Sequence, residues 1–262
     1  MDKGKRRVVI DPGHGGKDPG AVGLGLQEKE VVLHLAQHVR RELGAYEVDV
    51  LLTREADERV SLEERVRMAN RVNADLFVSL HCNAGGGQGF ESYVHPAAPE
   101  RTRVIRDVLH FRVMAFLAPY GIRDRGRKEA NFFVLRETKM PAVLLETLFL
   151  DHPREHALLR DEAFRKELAQ AIAAGIAQAM ALSRRELQPP GTGHTLPPEA
   201  PPSFSQPTED VAEWAREAVE WVKAKGWMTG FPDGTFRPKQ PVTREELAVV
   251  LYRILGRARD DQ

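Results

Sequence analysis

The chain of 262 residues contains a single cysteine, Cys82. With no second thiol it can form no internal disulfide. It has no surplus of charge, since 38 Lys and Arg are matched by 38 Asp and Glu. A nucleic-acid or anionic-membrane partner therefore has no electrostatic support. No apolar run is long enough to span a bilayer. The basic start, MDKGKRRVVIDPG, runs into a strand and glycines instead of the apolar core of a signal peptide, which leaves the export route open. What remains is a composition 42% hydrophobic and 29% charged, as in soluble globular proteins. The length suits one full-sized domain and a small second one.

Residues 6–182 alternate apolar runs with helical patterns. Strand-like runs fall at 6–10, 48–53, 75–80, 90–94, 131–135 and 142–146. Helical patterns fall at about 28–43, 61–73, 99–118 and 154–182, and Ser61 with Glu64 reads as a capping box. The alternation predicts an α/β fold with a mostly parallel central sheet flanked by helices. The alanine-rich run ELAQAIAAGIAQAMAL is expected to pack closely on that sheet. Residues 188–207 hold seven prolines without periodicity, as an extended linker would. Domain bounds follow as 1–183, a linker at 184–208, and a small helical C-terminal module at 209–262. In that module Val211, Trp214, Ala215, Ala218, Val219 and Val222 form one apolar stripe. Phe231–Phe236 reads as a turn, and a second helix is expected from Thr243.

Chemistry collects at the carboxyl ends of strands in such sheets. The strand Val8–Ile10 runs into DPGHGG, which carries Asp11 and His14. The strand LFVSL runs into His81, Cys82 and Asn83, and the strand AVLL runs into Glu146. Glu28 opens the first long helix. Two imidazoles and a carboxylate make a catalytic zinc set that leaves one position for water. A further carboxylate outside that set would carry the proton. Each residue also has a structural reading: a loop histidine, a first-turn glutamate, a core histidine, a glutamate paired with arginine. Glu30 rivals Glu28, and helical geometry puts the two on different faces. Cys82 alternates with His81 and reads as packing. The other seven histidines have no comparable placement.

The segments DPGHGGKDPGAVG, LQEKEVVLHLA, LLTREADERVSLEERVRMAN, ADLFVSLHCNA, NFFVLRETKMPAVLLET and FLDH resemble, in this order, the zinc-dependent N-acetylmuramoyl-L-alanine amidases. The resemblance covers about 6–182. It implies one Zn2+ ligated by His14, Glu28 and His81, with Glu146 as the catalytic glutamate. It implies hydrolysis of the amide between N-acetylmuramic acid and L-alanine in peptidoglycan, by an autolysin or endolysin, outside the cell or at its wall. Asp11 and Asn83 are expected to orient ligands from behind. The basic stretch PYGIRDRGRKEA, read as an irregular loop, offers Arg123, Arg125, Arg127 and Lys128 either to stem-peptide carboxylates or simply to solvent. Competing readings are a zinc peptidase cutting within the stem and a non-catalytic wall-binding protein. The tail resembles one S-layer homology module, with Trp214, Thr243, Arg244 and Glu245 matching the stretch that binds secondary cell-wall polymer. Such modules usually come in threes. The options for a single copy are trimerisation, weak binding or a plain interaction role.

Overall fold

The computed structural model describes residues 5–185 and the separate positions 219, 220, 222, 237 and 240. The chain divides into two units, Met1–Pro189 and Pro190–Gln262. In the second unit Val219, Glu220 and Val222 are helical, in line with the apolar stripe. Trp214, Thr243, Arg244, Glu245, nearly all of the linker, the expected turn and the second helix lie outside the described residues.

The elements of the first unit are β1 (Arg6–Pro12), β2 (Val22–Gly23), β3 (Leu26–Gln27), α1 (Glu28–Leu43), β4 (Val48–Leu52), α2 (Leu62–Arg71) and β5 (Leu76–Asn83). They continue with β6 (Phe90–Val94), α3 (Glu100–Leu117), β7 (Asp124–Glu129), α4 (Phe133–Glu137), β8 (Ala142–Phe149), α5 (Pro153–Arg160) and α6 (Glu162–Ala179). Six strands form one sheet in the order β4-β1-β5-β8-β6-β7. All neighbours are parallel except β6 and β8, so the sheet is mostly parallel. The chain leaves β1 through α1 to β4 on one side, then returns through α2 to β5 on the other. The carboxyl ends of β1 and β5 therefore flank the point where the winding reverses, where open sheets of this kind take their ligands.

Two apolar layers cover the sheet. Val78, Leu80, Val143 and Leu145 face α1 and α3 in the larger one. Val9, Phe77 and Leu144 face the other way, with Val66 and Ala69 of α2 and Val134 and Leu135 of α4. Because side chains alternate, His81 and Glu146 lie on the α2/α4 side and Cys82 and Thr147 on the other. The Ser61 capping box is present in full, with the Glu64 carboxylate and the Ser61 hydroxyl each taking the other's backbone N–H.

Four expectations are corrected. Residues 131–135 are not a strand, because Phe133–Glu137 forms the short α4. The strand lies upstream, in the segment read as an irregular loop, where DRGRKE forms β7 at the sheet edge. The stretch 154–182 is two helices, because Asp161 leaves the helical conformation after α5 and caps α6 through its bond from Ala163 N. The small-residue run of α6 packs on α1 and α3 instead of on the sheet. A Cβ on Gly175 would come within 3.2 Å of Leu109 Cα, so that helix crossing is close.

Candidate metal centre

His14, Glu28 and His81 converge, with one donor atom from each lying within 4.8 Å of the others. Glu28 Oε2 sits 3.2 Å from His14 Nε2, and Oε1 sits 2.9 Å from His81 Nδ1. Glu28 is 3% exposed at the start of α1, whereas Glu30 faces solvent. Helix geometry thus separates the rivals, and only the glutamate before Lys29 reaches the histidines. Backbone N–H groups of Ala21 and Cys82 donate to the Glu28 carboxylate at 2.7 and 3.0 Å. His14 Nδ1 is taken by Asp18 Oδ2 at 2.8 Å, which turns Nε2 towards the centre. Sequence reasoning missed Asp18. The only cue was an acidic residue four positions after the histidine.

The turn holding His14 has little room. A Cβ on Gly13 would lie 2.3 Å from the His81 ring, so only glycine lets β1 pass that imidazole. His14 itself has φ 58, in the left-handed region. Two buried guanidinium groups hold this turn. Arg65 donates to the carbonyls of Pro12 and His14 at 2.7 and 2.6 Å, and pairs with Asp11 at 2.6 Å. Arg54 donates to the Gly13 and Lys29 carbonyls at 2.8 and 2.7 Å. Asp11 accepts from Thr53 and Ser79 as well, and touches no metal-site side chain. Its side chain is linked to the His14 turn through Arg65. Asn83 likewise misses the donors and binds Glu91 at 2.9 Å. Neither arginine was identified from the sequence, where each is one among 28.

Glu146 lies beside this set. It pairs in register with His81 on β5 and with Glu91 on β6, so the three side chains form one row on one face. Its Oε2 is buried without a hydrogen-bond partner among the described residues. Burial pushes its carboxyl up to about 7, helped by the charges of Glu28 and Glu91 and opposed by the two histidines. His14 is driven the other way. Burial would lower it, yet the bonds and charges of Glu28 and Asp18 raise it to about 9. His81 is raised too, against burial, by Glu28 and Glu146. Glu28 is held far below the usual carboxylate range by both histidines, although burial opposes this. Opposed shifts among packed groups of this kind cluster at functional sites.

The model of the N-acetylmuramoyl-L-alanine amidase family matches residues 8–178. This chain belongs to that family. It is 45% identical over 180 residues to the amidase CwlM of Bacillus licheniformis, covering 68% of this chain and 70% of that protein. It is 39% identical over 246 residues to the endolysin of Bacillus phage SPP1, covering 90% and 89%. The catalytic domain of the amidase CwlV from Bacillus (Paenibacillus) polymyxa superposes with a TM-score of 0.64 at 38% identity, covering 68% of this chain and 99% of that one. An amidase from Clostridium difficile 630 superposes with a TM-score of 0.65 at 32% identity, covering 68% and 97%. An S-layer homology domain matches residues 208–248. The amidase hydrolyses the bond between N-acetylmuramic acid and L-alanine, so the cell wall is its substrate. No described helix is long and apolar enough to cross a membrane.

Proposed function

We propose that His14, Glu28 and His81 hold one zinc ion in the amidase, and that Glu146 moves the proton of the hydrolysis. Two imidazoles and one carboxylate whose donors approach within 4.8 Å suit a catalytic zinc site with an open position. When bound, the ion would polarise the lactyl carbonyl and bring the pKa of a water down towards neutrality. Glu146 then takes a proton from the attacking water as oxygen adds to the carbonyl carbon. It returns that proton to the alanine nitrogen as the C–N bond breaks, giving a lactyl carboxylic acid and a free amine, which takes up the acid's proton. A buried carboxyl raised above its ordinary value can take a proton and give it back. The observation carrying this reading is the unpartnered Glu146 Oε2, buried in line with His81.

The tail would keep the enzyme on its substrate. Trp214, Thr243, Arg244 and Glu245 are proposed to contact secondary cell-wall polymer, and trimerisation is the route by which one copy per chain would provide the usual three. The test of the active site is Glu146→Gln at full zinc occupancy. We expect kcat to fall by roughly 10²–10⁴-fold with the fold and the metal retained. Turnover within about threefold of the parent would place the base elsewhere.

A further inference from the structure

We propose that Arg125 and Lys128 form a receptor for the α-carboxylate of the second stem residue, D-glutamate, beside the catalytic row. The inference rests on the amidase reading of the metal centre and specifies which peptide chemistry that centre prefers.

It begins with an irregularity in β7. Between the β6 pairing positions Phe90 and Ser92 there is one intervening residue, but between their partners Asp124 and Arg127 there are two. The extra residue makes a β-bulge at Gly126, which has φ +92 with nothing within 4 Å of a would-be Cβ. Backbone conformation, and not space, requires glycine there. In a regular strand residues three apart point to opposite faces. The bulge breaks that alternation, so Arg125 and Lys128 both reach the face that carries Glu91 and Glu146, while Arg127 turns away to Asp107. Bulges beside active sites commonly re-aim side chains in this way.

Both cations meet on one atom. Arg125 Nε donates to Glu91 Oε2 at 2.9 Å, and Lys128 Nζ bonds to the same oxygen. The other oxygen of Glu91 is filled by Asn83 Nδ2 at 2.9 Å and Tyr93 OH at 3.0 Å. Those bonds overcome burial and hold Glu91 ionised. Neither Arg125 nor Lys128 pairs with any other carboxylate among the described residues. One buried carboxylate thus anchors two cations and leaves one positive charge unmatched. Their side chains are 29% and 36% exposed, against 4% for Glu91, so the anchor is inside and the cationic heads remain reachable. The Arg125 guanidinium also lies 4.9 Å over the Phe149 ring, which limits its motion.

The spacing suits the second residue of the stem. Neighbouring strands are about 4.8 Å apart, so heads drawn back onto Glu91 lie roughly one to two strand spacings from Glu146. Consecutive Cα atoms of a peptide are 3.8 Å apart, which puts a carboxylate on the residue after L-alanine about 5–8 Å from the scissile nitrogen. That residue is D-glutamate joined through its γ-carboxyl, so its α-carboxylate is free unless it is amidated. An arginine and an ammonium converging from one wall suit such a carboxylate and bind a neutral amide more weakly.

The test compares two N-acetylmuramoyl tripeptides, one with D-glutamate and one with D-isoglutamine at position two, cleaved by the zinc-loaded full chain. For the parent we expect a KM about tenfold lower on the free carboxylate with similar kcat, as for an interaction made equally in ground and transition states. Arg125→Ala and Lys128→Ala should each reduce that preference, and together abolish it. Arg125→Lys should restore part of it, and Arg127→Ala should leave it unchanged. Circular dichroism and thermal melting check that each variant folds. Should the paired substitution prevent folding, the single variants decide. Equal KM for both substrates in the parent, with cleavage between muramic acid and alanine, would overturn the receptor while the amidase reading stands. Preference retained in both single variants would overturn it too. If the parent cuts neither substrate at that bond, the amidase reading itself falls and the receptor falls with it.

Discussion

Arg65→Met tests whether the His14 turn is held from behind. Arg65 and Asp11 are 3% and 1% exposed and paired at 2.6 Å. The substitution removes the charge partner of Asp11 and the donors to the Pro12 and His14 carbonyls. Pro12 keeps its bond from Arg54 at 3.1 Å, but among the described residues no other side chain holds the carbonyl of His14. Breaking a buried pair from one side costs about 3–5 kcal/mol, because a charge is left without its partner. For a unit of this size that is a fall in Tm of roughly 10 °C, readable by calorimetry. The pH dependence has a definite sign. Burial would raise the Asp11 carboxyl, but Arg65 and the Thr53 and Ser79 hydroxyls hold it below 3.8. A carboxyl lowered on folding contributes stability above its unfolded value and loses it as pH falls through the folded one. The gap between parent and variant should therefore be flat at neutral pH and narrow only in acid. Zinc affinity should also drop by about 10–100-fold, the usual effect of losing an outer support. In an Asp11→Leu background the same substitution should cost much less, because the two residues share one network. A Tm within about 3 °C of the parent together with unchanged zinc affinity would refute the reasoning.

Zinc uptake should depend on pH. His14 keeps its proton up to about 9 in the metal-free chain and must release it to bind. Apparent affinity should rise with pH by at least about tenfold per unit up to about 9 and flatten above, more steeply where His81 is protonated as well, while chelation should leave the far-ultraviolet dichroism intact. Calorimetry in buffers of different ionisation enthalpy would count the protons, and an affinity flat across that window would be the contrary result. Residues 1–183 should cleave soluble muropeptide as fast as the full chain but digest intact walls more slowly, since a tether raises local concentration without new active-site contacts. Equal rates on walls with and without their secondary polymer, with an isolated tail that does not sediment, would remove the tail from the account.

The buried strands were legible because their apolar runs end in polar residues that have nothing to do in a core. Glu146 interrupts a strand in which every other residue is buried. The edge strand β7 was not legible. DRGRKE carries charges that keep an exposed edge from pairing with another chain, and such charges erase the alternation a reader looks for. Phe132 to Leu135 misled in the opposite direction, since a short apolar run has no length from which to tell helix from strand. The break at Asp161 was hidden inside good helix formers, though an aspartate is a standard start for a helix. The three candidate ligands could be singled out as residue types, two at strand ends and one at a helix start, but their supports could not. Arg54, Arg65 and Asp18 work through backbone carbonyls and a ring nitrogen, contacts that leave no periodic trace.

The Arg54 fork has a consequence for how this enzyme tolerates change. By joining the Gly13 carbonyl to the Lys29 carbonyl, it fastens the two ends of the stretch between His14 and Glu28 independently of what lies between them. The middle of that stretch is the β2–β3 hairpin, turned by Leu24 and Gly25 at φ 49 and 89, with Leu24 62% exposed. Loop closure becomes only slightly harder as a loop lengthens. With both ends stitched, residues inserted at Leu24–Gly25 would lengthen an exposed hairpin and leave His14 and Glu28 in place. That hairpin is where the amidase can take on added residues without moving its candidate metal ligands.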